Sequence, residues 1–155
     1  MDSQENEVEE RPPVAAKETA TTIIALPRSE VLIAHAAAAI HTVSIIEQKM
    51  VPMRAAAVAG FDAIIDETRI ETSILLLLYA RYDFSSRIKI HIGFSADEMR
   101  LLHECRKRLQ PLADQRLDRV HTIILALMRM ARPEFSRIPQ IDVRFLPTID
   151  SRLRE

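Results

Sequence analysis

Apolar and polar residues alternate strictly from residue 87 to residue 94, in the stretch RIKIHIGF. A period of two over eight residues is typical of a β-strand with one buried face. The expected inward face is apolar and carries Ile88, Ile90, Ile92 and Phe94. The expected outward face carries Arg87, Lys89, His91 and Gly93. The pattern therefore predicts a half-exposed strand whose solvent side is basic.

Two helices are predicted after this strand. Ser95 is a suitable N-cap with acidic residues in the turn behind it, and apolar positions recur every three or four residues up to Leu109. Pro111 interrupts this pattern. We expect Asp114 to cap a second helix, whose apolar stripe reaches Ala131.

The N-terminal half predicts a similar succession of elements. The stretch TTIIALP, residues 21–27, is β-branched and ends at Pro27, which favours a short strand. A helix is predicted from a cap at Ser29 to about Met50. Its expected apolar stripe consists of Leu32, Ala36, Ala39, Val43 and Ile46. Pro52 suits the first position of the next helix, because a backbone N–H at that position would make no hydrogen bond within the helix.

Residues 53–82 allow two interpretations. Apolar residues three or four apart predict one long helix, which the leucines favour. Alternatively, the helix ends near Glu67 and the stretch TSILLLLYARY, residues 72–82, forms a strand that pairs with residues 87–94. The pattern favours the helix, but the choice between helix and strand for residues 70–82 stays open.

Three regions follow from these patterns. Residues 1–20 are acidic and contain two adjacent prolines, which predicts a disordered arm. Residues 21–132 are expected to form one helical domain, and residues 133–155 an extended tail. The predicted fold class is α+β and predominantly helical, since two glycines in the whole chain argue against a many-stranded sandwich.

The composition indicates a soluble globular protein, with 48% hydrophobic and 28% charged residues. The most apolar run, ILLLLYA, is far shorter than the roughly 20 residues of a membrane-spanning helix. The N-terminus lacks the pattern of a signal peptide. Cys105 is the only cysteine, so no internal disulfide forms, and we expect a cytoplasmic location without membrane attachment.

Charge is unevenly distributed, although the net charge is only −1. Residues 1–83 hold 7 Lys and Arg against 13 Asp and Glu, whereas residues 84–155 hold 14 against 9. A basic half of this kind indicates an anionic partner.

Catalytic patterns are missing from the sequence. Two glycines exclude a glycine-rich phosphate loop and a GxSxG elbow, and the five histidines show no metal-ligand spacing. Cys105 falls on an apolar helix stripe, where a buried packing role is the usual one. We therefore expect no enzyme activity, no metal and no cofactor.

The segment from Arg87 to Ala131 resembles a ribbon-helix-helix DNA-binding unit. In that family two copies pair one strand each, and the outward side chains of the ribbon read the major groove. The resemblance rests on the alternating strand, the Ser95 cap, the short break at Pro111 and the amphipathic second helix. It implies that the chain binds DNA as a homo-oligomer or a pseudo-dimer.

The resemblance also implies roles for the cations. Lys89 and His91 would read base edges, with Arg87 at the edge of the ribbon. Phosphate contacts would come from the basic residues of the following helix, which are Arg100, Arg106, Lys107 and Arg108. Two features depart from the family: Asp114 puts a carboxylate where a phosphate would dock, and the chain has a large N-terminal half.

A degenerate second copy at residues 21–66 would account for that half. An offset of 68 residues places Ile24 on Ile92 and Glu30 on Glu98. The chain would then be a single-chain pseudo-dimer. Its first strand would not read bases, because the outward residues of that strand are apolar.

The predicted function is a small DNA-binding protein, acting as a transcriptional repressor or as an accessory nucleoprotein factor. The alternative is a helical protein-interaction module without nucleic-acid binding, built on the helices at residues 29–50 and 53–82. The character of the exposed surface distinguishes the DNA-binding protein from the protein-interaction module. A shared basic surface favours DNA, and a wide exposed apolar patch at residues 31–46 or 70–80 favours the adaptor.

Overall fold

Two strands and five α-helices make up residues 21–131, the part of the chain that this computed structural model describes. In chain order they are β1 (Thr21–Pro27), α1 (Glu30–Glu47), α2 (Met53–Asp66), α3 (Arg69–Tyr79), β2 (Lys89–Ser95), α4 (Ala96–Leu109) and α5 (Arg119–Ala131). The fold is α+β and mostly helical, as predicted. The predictions for the N-terminal arm and the C-terminal tail lie outside the described residues.

The two strands form one antiparallel ribbon. Ile24 faces Ile92 at its centre, and the partners run outward from this pair to Pro27 with Lys89 at one end. At the other end Thr21 faces Ser95. The ribbon is therefore symmetric about the central pair, and the strands predicted from both stretches are confirmed.

One face of the ribbon is buried, as the period of two predicts. Ile24, Leu26, Ile92 and Phe94 are each at most 7% exposed and belong to the core. Ile88, which was expected on the same face, is 54% exposed. That prediction is wrong because β2 begins only at Lys89, so Ile88 lies beyond the buried part of the ribbon.

Helix α1 begins where its cap was predicted. The Ser29 hydroxyl accepts a hydrogen bond from the Leu32 N–H at 3.1 Å, which satisfies one of the helix's unpaired donors. The buried residues of α1 include Leu32, Ala36 and Val43, as expected. Ile46 was expected on the same stripe but is 64% exposed.

Among the described residues, α1 is the one helix long and apolar enough to cross a membrane by length and composition. Only 28% of this 18-residue stretch is buried, so one apolar face of the helix is exposed to solvent. A single helix of this kind is weak evidence for a membrane span and is consistent with a soluble protein.

Gln48 at the end of α1 is expected to be a weak point that glycine improves. It has a left-handed backbone with φ of 59°, and the Lys49 N–H donates to the Ser44 carbonyl at 3.1 Å, as in a Schellman motif. Glycine takes this conformation without a Cβ penalty. Gln48→Gly should raise the free energy of unfolding by about 0.5–1 kcal/mol, measured by urea denaturation.

The exposed C-cap residue of α3, Ala80, is a suitable control for this variant, because its right-handed φ of −65° gives glycine no such advantage. Ala80→Gly should therefore lower stability. Equal effects of the two substitutions would contradict the role given to the left-handed backbone.

The long helix predicted over residues 53–82 is broken. It ends at Asp66, and α3 begins at Arg69 with Thr68 as its N-cap. The Thr68 hydroxyl accepts from the Glu71 N–H at 3.1 Å, and the Glu71 carboxylate accepts from the Thr68 N–H at 2.9 Å. This capping box starts a new helix, so the single continuous helix and the alternative strand are wrong. The helix that was favoured over a strand for residues 70–82 is confirmed as far as Tyr79.

Helix α4 has the cap that the sequence predicts, whereas α5 does not. Ser95 caps α4 in a capping box with Glu98. The α5 helix begins four residues later than expected, and its cap is Asp118, whose carboxylate accepts from the His121 N–H at 2.9 Å. Asp114 is exposed and lies before this turn, so its predicted capping role is wrong.

Helix α5 is the centre of the fold. All residues of α5 from Thr122 to Met130 are buried, whereas a single apolar stripe was expected. A helix buried on all sides needs neighbours on all sides, and α1, α2 and α4 each contact it. The approach of α2 is closest at Gly60, where a Cβ atom would lie 2.2 Å from the Ala126 carbonyl oxygen.

Candidate nucleic-acid interface

The solvent side of the ribbon has a basic end. Lys89 and His91 are exposed on β2, and Arg87 is exposed two residues before Lys89. Arg28 is exposed directly after β1, and its N–H donates to the Ile88 carbonyl at 2.7 Å, which extends the ladder by one step. The structure therefore brings three of the sequence-predicted residues together, and Arg28, which the sequence analysis missed, is exposed at the same end of the ribbon, where the alternation of β1 assigns it to the face of Leu26.

The rest of the solvent side is small and apolar. Ile23 is 65% exposed and faces Gly93 across the ribbon. Ala25 is exposed and faces His91. The outward face therefore has a cationic half on β2 and an apolar half on β1, as the outward residues of the two strands predict.

The start of α5 lies against the β1 side of this surface. A shallow depression is lined by Ile23 and Ala25 of the strand and by Asp118 and Arg119 of the helix start. Arg119 is exposed and adds a second cation that the sequence analysis missed. The carboxylate that was expected to oppose a phosphate here is thus contributed by Asp118 instead of Asp114.

The start of α2 differs from that of α5. Its N-cap is Pro52, which makes no side-chain hydrogen bond to the first turn, and the first turn has no acidic residue. The backbone N–H groups of such a turn, together with the helix dipole, suit an anionic oxygen. Arg54 in this turn contacts Glu98 of α4 at 3.4 Å, which places it near the Ser95 end of the ribbon.

The remaining predicted cations lie along α4. Arg100 is exposed and pairs with Asp97 of its own helix. Arg106 and Lys107 lie in the last turn, about 15 Å along the helix axis from its start beside the ribbon. Arg108 donates to the Glu67 carbonyl at the junction of α2 and α3. The last turn is therefore not brought together with Lys89 and His91, and its phosphate contacts stay a prediction.

The described residues offer neither a cluster of metal ligands nor an exposed thiol. Within residues 21–131, no group of three or more His, Cys, Asp or Glu side chains could hold a metal ion. Cys105 is buried, and burial, followed by the charge of Glu67, raises the pKa of its thiol far above the usual value. The thiol is therefore protonated at neutral pH, which suits a packing role.

Comparisons of the chain with models of protein families, with curated proteins and with solved structures give no match. The geometry and charges of the ribbon are therefore the observations from which a function is argued. They define a solvent-facing two-stranded ribbon with a basic end, flanked by the starts of two helices.

Proposed function

We propose that the chain is a sequence-specific DNA-binding protein of the ribbon-helix-helix class, in which one chain supplies both halves of the usual dimer. The observation that carries this proposal is the succession of a strand and two helices that recurs 66–68 residues later, with the two strands paired to each other. Such a protein would act as a transcriptional repressor or as an accessory factor in a nucleoprotein complex in the cytoplasm.

The order of elements supports a pseudo-two-fold axis. An offset of 68 residues carries Thr21–Pro27 onto Lys89–Ser95, and a pair of helices follows each of these strands, with α3 as an additional helix before the second strand. A two-fold axis requires that the first residue of one copy faces the last residue of the other. Thr21 faces Ser95 and Pro27 faces Lys89, so the pairing has the required form.

The packing of the helices also supports two interlocked halves. Helix α1 of the first half packs on α5 of the second, and α4 of the second half packs on α2 of the first. Phe61 of α2 lies 5.7 Å from Phe94 of β2, measured between ring centroids. The two halves thus share one core, as expected of a dimer that has been joined into a single chain.

The chemistry of the ribbon suits a DNA major groove, which admits a two-stranded ribbon. Lys89 and His91 would donate to guanine or other base edges, whereas the apolar Ile23 and Ala25 of β1 would not read bases. Arg28 and Arg119 would contact phosphates on the two sides. Because the two strands carry different side chains, we expect a recognition site without a two-fold symmetric sequence.

Removal of Arg119 is expected to weaken binding to every DNA sequence alike. The two phosphate contacts of Arg28 and Arg119 predict a salt slope of about −1.8, so affinity should fall roughly 12-fold between about 50 and about 200 mM salt. Arg119→Ala should reduce the slope by about 0.9. Fluorescence anisotropy of a random-sequence duplex, titrated with the purified chain at both salt concentrations, measures these quantities.

Lys49→Ala is the matched control, because it removes the same charge from an exposed position beyond the far end of α1, about 27 Å along the helix axis from the ribbon. Its slope should equal that of the unchanged chain. Lys89→Ala with His91→Ala should instead reduce the preference for a selected site over random DNA, since base contacts specify the sequence. If the unchanged chain does not bind at about 50 mM salt, or if Lys49 matters as much as Arg119, the proposal is wrong.

A protein-interaction module is the second candidate, and apolar exposure favours it. Ile33 and Ile45 of α1 are 45% and 65% exposed, and Ile70 and Leu77 of α3 are 72% and 68% exposed. Exposed patches of this kind mark binding surfaces for other proteins. Absence of DNA binding combined with a protein partner on α1 or α3 would favour this function over the first.

A further inference from the structure

A depression opens between the end of α3, the connection from α3 to β2 and the start of α5. Its volume is about 510 Å³, which lies within the range of about 300–1,000 Å³ that is typical of small-molecule sites. Pro27 at the end of β1 also lines it. Four separate parts of the chain therefore form a depression that is large enough for a small organic molecule.

One wall of this depression is aromatic. The rings of Tyr79 and Phe84 are stacked, with their centroids 5.4 Å apart, and the Tyr82 ring lies 5.9 Å from that of Phe84. The His121 ring of α5 meets Tyr79 edge-on, at 6.0 Å between centroids. Phe84 is buried, whereas both tyrosines are half-buried and line the depression. Aromatic ring faces attract a cation, and tyrosine is among the better rings for this contact.

The charge of the depression also suits a cation. Among the described residues, the carboxylates of Asp83 and Asp118 line it and no Lys or Arg does. Hydrogen bonds from the side chain and the backbone N–H of Ser85 lower the pKa of Asp83, so this carboxylate is ionised at neutral pH. Burial, followed by the charge of Asp118, raises the pKa of Tyr79, which indicates that the Asp118 carboxylate lies near the Tyr79 hydroxyl.

A second depression adjoins the first and is mostly apolar. Tyr79, Ala80 and Gln115 line both depressions, so the two lie side by side. The second has a volume of about 350 Å³. Within the described part of the chain, its one charged lining residue is the exposed Asp114, which is again negative. Four leucines supply most of its apolar surface, and they are Leu76, Leu77, Leu112 and Leu117.

We propose that the two depressions together bind a small organic cation that carries an unbranched apolar chain, such as an alkylammonium ion. The ammonium group lies against the aromatic wall, where Asp83 and Asp118 offset its charge. The chain lies over Tyr79 and Ala80 and reaches the leucines of the second depression. None of these residues is proposed to contact DNA, so the site does not depend on DNA binding.

The two parts of the site select different parts of the ligand. A carboxylate or a phosphate would be repelled by Asp83 and Asp118, and no Lys or Arg among the described lining residues would pair with it. A cation without an apolar chain would leave the leucines in contact with water, although burial of a chain against them is favourable. Charge and chain length should therefore contribute to the affinity separately.

An NMR titration of the full chain with hexylammonium tests the proposal. In proton–nitrogen spectra, the amide signals of Tyr79, Asp83 and Asp118 should shift as the ligand is raised to about 20 mM, because a ligand with so few atoms binds in roughly the millimolar range. Hexanol should bind about tenfold more weakly and hexanoate more weakly still, since neither has a positive charge. From butylammonium to hexylammonium the affinity should rise about two- to fourfold for each methylene.

Two substitutions test the position of the ammonium group. Asp83→Asn and Asp118→Asn should each lower the affinity for hexylammonium about threefold. Asparagine still accepts the hydrogen bonds of Ser85 and still caps α5, so the fold is retained. Asp62→Asn is the matched control, because it removes the same charge from an exposed position on α2 that lines neither depression. It should leave the affinity unchanged.

Leu77→Gln tests the position of the chain. It should remove most of the gain in affinity from butylammonium to hexylammonium, because Leu77 lines the second depression. Ile70→Gln is the control, since Ile70 is similarly exposed on α3 but lines neither depression. The proposal is overturned if hexanol binds as tightly as hexylammonium, if Asp62→Asn weakens binding as much as Asp118→Asn, or if Leu77→Gln leaves the effect of chain length unchanged. Absence of shifts at the lining residues up to about 20 mM also overturns it.

Discussion

Replacing Arg129 by methionine is expected to lower the free energy of unfolding by about 3–5 kcal/mol at pH 7. The Arg129 Nε donates to Oε2 of Glu67 at 2.9 Å, and only 2% of the Glu67 side chain is exposed. Methionine occupies a similar space but leaves the Glu67 carboxylate buried without its counter-charge. Such an uncompensated charge is among the costliest defects in a protein interior. Urea denaturation followed by circular dichroism measures the loss.

The loss should shrink as the pH is lowered. Burial raises the pKa of Glu67 above its usual value of 4.5, while hydrogen bonds from Thr72 and Arg129 and the charge of Arg129 oppose the rise. Without Arg129 the pKa rises further. A folded-state pKa above the unfolded one gives stability that is complete below pH 4.5 and is lost as the pH rises through the folded pKa. Arg129→Met should therefore be less destabilising at pH 5 than at pH 7.

The double variant Glu67→Gln/Arg129→Met is the control. Its neutral amide still accepts a hydrogen bond from the Thr72 hydroxyl, which donates to Oε1 of Glu67 at 2.9 Å in the unchanged chain. The double variant should recover most of the lost stability at pH 7 and lose the added pH dependence. Equal stability of the double variant and Arg129→Met would contradict the role of the buried charge.

The ribbon could be predicted from the sequence because its signals are local. Alternation over eight residues fixes the buried face of β2, and the cap residues Ser29 and Ser95 stand next to the apolar pattern that they start. The offset of 68 residues matches Ile24 with Ile92, and these two residues form the central pair of the observed ribbon. These features depend on neighbours in the sequence or on simple comparison of two stretches.

The break between α2 and α3 was missed for a different reason. The sequence Thr68-Arg-Ile-Glu71 has the form of a capping box, and this signal was present inside a continuous apolar pattern that favoured one helix. The burial of Glu67 could not be predicted from its neighbours, because its partner Arg129 is 62 residues away. Likewise, α5 looks amphipathic in isolation, and its complete burial results from helices that pack on it from other parts of the chain.

The candidate interface shows the same division. Arg87, Lys89 and His91 could be identified from one strand, since period two alone puts them on one face. Arg28 and Arg119 could not be identified from the sequence. Arg28 lies near this surface because β1 pairs with β2, and Arg119 lies near it because α5 begins beside β1. Whether two cations share a surface depends on tertiary contacts that no short stretch of sequence encodes.

Gly60→Ala is expected to lower the free energy of unfolding by about 2–3 kcal/mol, although alanine is the better helix former by about 1 kcal/mol. The new Cβ would lie 2.2 Å from the carbonyl oxygen and 2.8 Å from the Cα of Ala126. These are backbone atoms of α5, so the clash is relieved only if α2 and α5 move apart. That movement would loosen the packing between the two halves of the fold.

Gly93→Ala is the matched control. A Cβ atom at Gly93, the chain's other glycine, would also have a close neighbour, but this neighbour is a side-chain atom and not a backbone atom. Its Cβ would meet the Thr21 side-chain methyl at 2.7 Å, and the nearest backbone atom is 3.9 Å away. The threonine methyl is the end of a flexible side chain, so the cost should stay below about 1 kcal/mol. Thermal unfolding of both variants compares the two sites. If Gly60→Ala is as stable as Gly93→Ala, α2 and α5 do not cross closely enough to form the shared core of a joined dimer, and the single-chain pseudo-dimer loses that support.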